Sequence, residues 1–170
     1  VARDCILAAL TGSRLHFLHL STAGSIELVR AAKARGLPVT AEAAPHHFTL
    51  TDASCASFDP CFKVNPPLRT DADVAAVKAG LADGTIDAIA TDHAPHPTEA
   101  KERPFEEAPP GMLGLETALA LTIGELVEPG VLSMTEALAR LSGNVKTTAE
   151  ALGIDRSTLY EKIKRYEIPR

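Results

Sequence analysis

The hexapeptide Thr91-Asp92-His93-Ala94-Pro95-His96 closes an apolar run, Ile86-Asp87-Ala88-Ile89-Ala90. A carboxylate between imidazoles at the end of a buried strand is how metal-dependent hydrolases present their chemistry. Pro95 and Pro97 stop the strand, which puts the polar cluster at a strand–loop junction. His19, Asp92 and His96 are residue types that bind Zn²⁺, and a catalytic zinc keeps one position open for water. Such water approaches a neutral pKa and becomes a nucleophile. A carboxylate beside it takes the proton and passes it to the leaving group. The plain alternative for the same residues is a capping Asp and two surface histidines.

The elements that would position these groups alternate. Residues 2–11 read as a helix with Ile6, Leu7 and Leu10 on one face. Residues 15–20 form a short apolar strand. Ser21 to Ser25 turn it into a helix over about 24–35, whose Leu28, Ala31, Ala32 and Ala34 suit a sheet surface; Gly36 and Pro38 end it. Val39 to Ala43 is the second strand, 51–62 is irregular, and Asn65-Pro66-Pro67 excludes helix and central strand. A helix from Asp71 to Leu81 leads to the third strand, Ile86 to Ala90. A Pro- and Glu-rich loop covers 94–112, and helices dominate after Leu115. Strand–helix alternation signals parallel βα units, and chemistry then collects at the C-terminal strand ends. All three strands end polar: at His19, near His46-His47, and at Asp92-His93.

The bulk numbers allow this. The chain has 170 residues, 45% hydrophobic and 23% charged, with no Trp. A formal charge of −5 argues against whole-chain nucleic-acid affinity. Cys5, Cys55 and Cys61 form no CxxC pair, which points to a reducing cytoplasm. No apolar run reaches membrane-spanning length. Val1-Ala2-Arg3 lacks an initiator Met and enters a helical pattern at once, as in a chain cut from a longer one.

Four motifs in order resemble a family: His16-Phe17-Leu18-His19-Leu20-Ser21-Thr22, Val39 to His47, Lys63-Val64-Asn65-Pro66-Pro67-Leu68-Arg69, and Ala90 to His96. They are similar to class I dihydroorotases, metal-dependent TIM barrels of the amidohydrolase superfamily. These interconvert dihydroorotate and N-carbamoyl-aspartate in pyrimidine synthesis. The resemblance covers residues 1–142 and implies strands six to eight of the barrel, a partial TIM barrel of three parallel βα units. It implies that His19 and Asp92 are metal ligands, Asp92 also being the catalytic acid/base, and that the cofactor is Zn²⁺. It implies substrate contacts from Asn65, His96, Pro110 and Gly111. His46-His47 are read as structural, and His16 is given no role. The family's first-strand His-x-His and nearby Arg, its fourth-strand bridging ligand and its fifth-strand histidine have no counterpart. Two ligands would hold zinc weakly, so the chain is expected to be inactive alone. Three strands leave two open edges and a lumen face of unburied apolar groups, which implies self-association or a covering partner.

After Ser142 the character changes. Residues 143–170 carry a net +2 and the remainder −7. Asn144 caps one helix, Gly153 turns the chain, and a second helix carries Leu159 and Ile163 at i, i+4 with Lys162, Lys164 and Arg165. Two short helices about a Gly turn form a helix-turn-helix pattern. The stretch is similar to the Fis-type module, with the helix 134–141 shared between the two parts. That resemblance implies DNA contacts from Asn144, Arg156 and Thr158, with phosphates held by Lys162, Lys164 and Arg165. Asp155, Tyr160 and Glu161 depart from the Fis pattern. Two readings follow: a dihydroorotase-like fragment fused to a helix-turn-helix, or a DNA-binding regulator with a non-catalytic barrel remnant.

Overall fold

The computed structural model describes residues 1–141. Three strands, β1 (Leu15–Phe17), β2 (Val39–Ala43) and β3 (Ala88–Ile89), form one parallel sheet in the order β1-β2-β3. Leu15 pairs with Val39 and Phe17 with Ala41; Glu42 pairs with Ala88 and Ala43 with Ile89. Helices α1 (Ala2–Thr11), α2 (Ala23–Ala34) and α4 (Asp71–Ala82) alternate with them. A short α3 (Pro45–Thr49) follows β2 directly. Later come α5 (Thr98–Lys101), α6 (Ala118–Thr122), which widens into a π turn over Ile123–Val127, and α7 (Met134–Arg140). These are the parallel βα units expected from the alternation, in the α/β partial barrel that the resemblance implies.

Period-2 alternation decides the two faces of the sheet. Phe17, Val39, Ala41, Ala43 and Ile89 are buried in the core with Ile26, Val29 and Ala32 of α2 and Val77 and Leu81 of α4. The opposite face carries His16, Thr40 and Glu42. His16 Nδ1 lies 2.8 Å from Thr40 Oγ1, and its Nε2 lies 3.1 Å from Glu42 Oε2. Over β1 and β2 the lumen face is therefore a polar layer, not the apolar one expected, because the large apolar side chains of these strands point toward the helices, and β3 adds only Ala88 to it.

Helix faces differ from expectation in the same way. α1 buries Cys5 and Ala8, while Ile6, Leu7 and Leu10 are 60%, 50% and 77% exposed. α2 packs through Ile26, Val29 and Ala32, leaving Leu28, Ala31 and Ala34 outward. Ile26, Val29 and Ala32 at i, i+3 spacing face the sheet, so only Ala32 of the expected face does. Caps follow the residue chemistry: Thr22 Oγ1 accepts from Ser25 N–H on α2, and Thr70 with Asp73 forms a capping box on α4. The third strand is shorter than Ile86 to Ala90. Ile86 N–H is spent on Gly80 C=O, though Asp87 N–H and Ala90 N–H still donate to Ala41 and Ala43 carbonyls. Among the described residues no helix is long and apolar enough to cross a membrane.

Candidate active-site segment at the strand ends

The sequence turns abruptly where each strand stops. His19 has φ 32° and Asp92 has φ 46°, left-handed backbone that non-glycine residues adopt rarely. Leu20 N–H still donates to Glu42 C=O at 2.8 Å, so His19 is a local excursion in a chain that stays paired with β2. Strain of this kind gathers at functional sites. β2 ends differently: Pro45 starts α3, and its first turn buries His46, His47 and Phe48.

These three ends converge. His46 Nε2 lies 3.7 Å from Asp92 Oδ2, and the His46 ring is 3% exposed. The His46 and His47 rings meet edge-on with centroids 4.3 Å apart. Burial pushes the His46 imidazole from 6.5 down to about 3, with the neighbouring His47 and His19 adding to the effect. Burial also holds His47 below the ordinary range, against the raising influence of the Pro66 carbonyl. His47 Nε2–H donates to that carbonyl at 3.0 Å, which leaves its Nδ1 as an acceptor. His19 Nδ1, His46 Nε2 and His47 Nδ1 are buried without a hydrogen-bond partner. Buried polar atoms normally have one, so three unpartnered ring nitrogens near Asp92 set this part of the interior apart from an ordinary closed core.

The Lys63-to-Arg69 segment ties the ends together. Lys63 C=O accepts from Gly111 N–H at 2.8 Å, Pro66 C=O takes the His47 bond, and Arg69 Nε donates to Ser21 Oγ at 3.4 Å. The peptide between Asn65 and Pro66 is cis, and Asn65 is exposed. The loop after β3 folds back over its own end. Ala94 N–H donates to Met112 C=O at 3.0 Å, and a Cβ on Gly114 would collide with the Thr91 carbonyl. His93 Nδ1 accepts from the N–H groups of Gly114 and Leu115 at 3.2 and 3.1 Å, so its proton sits on Nε2. His96 Nε2–H donates to Pro110 C=O at 3.0 Å. Gly111, at φ 137°, has space for no side chain: a Cβ there would lie 2.9 Å from His96 Nε2 and 2.7 Å from Ala94 C=O.

The relatives of this chain are consistent. It is 58% identical over 159 residues to the dihydroorotase of Pelotomaculum thermopropionicum, covering 94% of this chain and 36% of that protein. It is 51% identical over 156 residues to the dihydroorotase of Streptomyces coelicolor, covering 92% of this chain and 36% of that one. This is a segment of a dihydroorotase-like amidohydrolase. It spans about a third of the length of the dihydroorotases it matches. Among solved structures, L-hydantoinase (dihydropyrimidinase) from Arthrobacter aurescens superposes with a TM-score of 0.77 at 30% identity, over 89% of this chain and 34% of that one. The Saccharomyces cerevisiae dihydroorotase in complex with 5-fluoroorotic acid gives a TM-score of 0.71 at 17% identity, over 91% and 42%, a likeness of fold alone. The family model for bacterial regulatory proteins of the Fis family matches residues 133–166. A 159-residue match within 170 residues includes 12–159 wherever it begins, so the two similarities share 133–159.

Within this dihydroorotase-like segment, the sequence-predicted residues fall into two groups. Asp92 stands with His46, and His19 lies near enough to bear on the His46 imidazole. His96, Pro110 and Gly111 form one contact at the loop, with the Pro110 carbonyl and the Gly111 N–H already partnered. Asn65 stays apart at the surface. Sequence reasoning assigned nothing to His46 at Asp92, although a His pair directly after a strand end and a Pro is a readable signal. It also missed His16 on the lumen face. Asn144, Arg156, Thr158, Lys162, Lys164 and Arg165 lie outside the described residues.

Zinc fits this donor set in kind but not in number. Imidazole nitrogen and carboxylate oxygen are suitable ligands, and His19 Nδ1 lacks a partner. Yet among the described residues no three His, Cys, Asp or Glu side chains form a group able to hold a metal ion. A catalytic zinc needs three protein ligands, so these residues do not make a zinc site by themselves.

Proposed function

We propose that this segment is the acid/base part of a dihydroorotase-type cyclic amidohydrolase site, without turnover as a separate chain. The observation that carries the reading is Asp92: a left-handed strand-end carboxylate 3.7 Å from a buried, neutral imidazole. Hydrolysis of dihydroorotate adds water across a ring amide, giving N-carbamoyl-aspartate. The water loses a proton as it attacks the carbonyl carbon, and the departing nitrogen gains one. Asp92 takes the first proton and returns it to that nitrogen. The buried His46 ring walls one side of the carboxylate, which is 32% exposed and so open to water and substrate on the other. His96 and the backbone at Pro110 and Gly111 would contact the substrate from the loop side, and Asn65 from the surface segment apart from them. The donors His19 and Asp92 need further ligands before zinc can sit beside them.

Purified chain supplied with zinc is expected to hydrolyse dihydroorotate no faster than buffer. Turnover abolished by Asp92→Asn would contradict the inactive-segment reading.

The Fis-family match over 133–166 favours a second reading, DNA binding through Asn144, Arg156 and Thr158 with Lys162, Lys164 and Arg165 on phosphates. Under it, the chain shifts duplex DNA at low salt, and the affinity falls steeply as salt rises. Absence of any shift at low salt would remove this reading.

A further inference from the structure

We infer that Lys63 and Lys101 are positioning residues: their ammonium groups fasten the 104–109 turn to the segment at 60–63 and so fix where His96, Pro110 and Gly111 stand. The sequence makes this turn short of donors. Pro104, Pro109 and Pro110 carry no backbone N–H, and the turn closes on itself through Glu107 and Ala108 N–H, both donating to Pro104 C=O. Lysine meets the carbonyls that remain. Lys63 Nζ donates to the Phe105 and Glu106 carbonyls at 2.6 and 3.1 Å. Lys101 Nζ donates to the Pro109 carbonyl at 2.9 Å and to the Pro60 carbonyl at 3.0 Å, which joins the two segments directly. The Phe105 ring adds a second hold, with its centroid 5.4 Å from Lys63 Nζ. Asp59 accepts from Cys61 N–H at 2.9 Å and so sets the turn that presents the Pro60 carbonyl.

Three observations separate these lysines from ordinary surface charge. Lys33 and Lys78 pair with carboxylates, those of Asp87 and Glu125, at 2.7 Å. Among the described residues Lys63 and Lys101 have no such pair, and their donors go to neutral carbonyls. Burial holds the Lys101 ammonium below the ordinary lysine range, a cost that an idle surface lysine does not bear. Finally, the bonds bracket the groups expected to meet substrate. The Pro109 carbonyl, held by Lys101, comes just before Pro110, whose own carbonyl accepts from His96 Nε2–H at 3.0 Å. Gly111 N–H ends on the Lys63 carbonyl at 2.8 Å. Gly111 already sits too close to Ala94 and His96 for a side chain, so the turn has little room to drift. Groups that contact a reacting substrate tolerate little misplacement.

The inference rests on the proposed function for what His96, Pro110 and Gly111 contact, but the latch itself is read without substrate. Nuclear magnetic resonance on the 170-residue chain follows the exchange rate of Gly111 N–H and the tautomer of the His96 ring. The unmodified chain should show a protected Gly111 N–H and a His96 ring protonated on Nε2. Lys63→Met and Lys101→Met should each speed Gly111 exchange by about tenfold or more and mix the His96 tautomers, because the turn opens locally. The Leu81 N–H in the core should keep its rate. Lys78→Met, at the Glu125 pair, should leave both readings unchanged. An unprotected Gly111 N–H or mixed His96 tautomers in the unmodified chain would overturn the inference, and neither result needs a variant to fold. Methionine variants that leave both readings as they were would overturn it too. So would faster exchange that spreads equally to Leu81, since the lysines would then serve stability alone. The proposed function fails on turnover and the latch on exchange, so the two failures are separate readings.

Discussion

Asp92 and His46 show how much one contact between a half-buried carboxylate and a buried ring can determine. His46 was legible only as a His beside a strand end; its contact with Asp92 depends on α3 starting at once after β2, which residue types alone do not reveal. The pair has a pH consequence. In the unfolded chain a histidine titrates near 6.5, while the folded ring stays neutral down to about 3. The folded state therefore binds fewer protons across that window, and stability must fall as pH drops through it. One such group contributes at most about 1.4 kcal/mol per pH unit, and His47 shifts in the same direction. Urea midpoints should be flat above about pH 7 and decline toward pH 5, and His46→Gln should decline less. Equal decline in both proteins would show that the ring is not held neutral. Gly111 and Gly114 belong to this scale too, since side chains there would strike His96 and the Thr91 carbonyl.

At the scale of elements, alternation predicted parallel βα units, because apolar strands separated by capped helices leave few other arrangements, and the sheet adds the order β1-β2-β3. It misjudged which faces are covered. Leu7 and Leu10 look like core residues in a helical pattern but stand exposed, while Cys5 and Ala8 take the inward face of α1. The polar layer of His16, Thr40 and Glu42 was hidden because each residue, taken singly, reads as a surface group. At the other end of the sheet, Asp87 joins α2 to β2 and β3. Its oxygens lie 2.7 Å from Lys33 Nζ, and Oδ2 also accepts from Ala41 N–H at 2.9 Å. Asp87→Ala removes these bonds at the end of the sheet away from His19 and Asp92. It should cost about 1–2 kcal/mol, read as a lower thermal midpoint; an unchanged midpoint would make the bridge energetically idle.

For the whole molecule, the dihydroorotase likeness was legible in four motifs, and the matches to curated relatives agree with it. What the motifs could not supply was the count of converging donors, a property of three-dimensional placement. His19 and Asp92 occupy strand ends of one sheet, but three strands provide too few ligands for a catalytic zinc. Among the described residues, then, the acid/base and donor side chains stand together without a full ligand set. Zinc stoichiometry tests this most directly. The purified chain, dialysed against zinc and then against metal-free buffer, should retain well under one zinc per chain. Retention of one zinc per chain, lost in both His19→Ala and Asp92→Asn, would contradict the account.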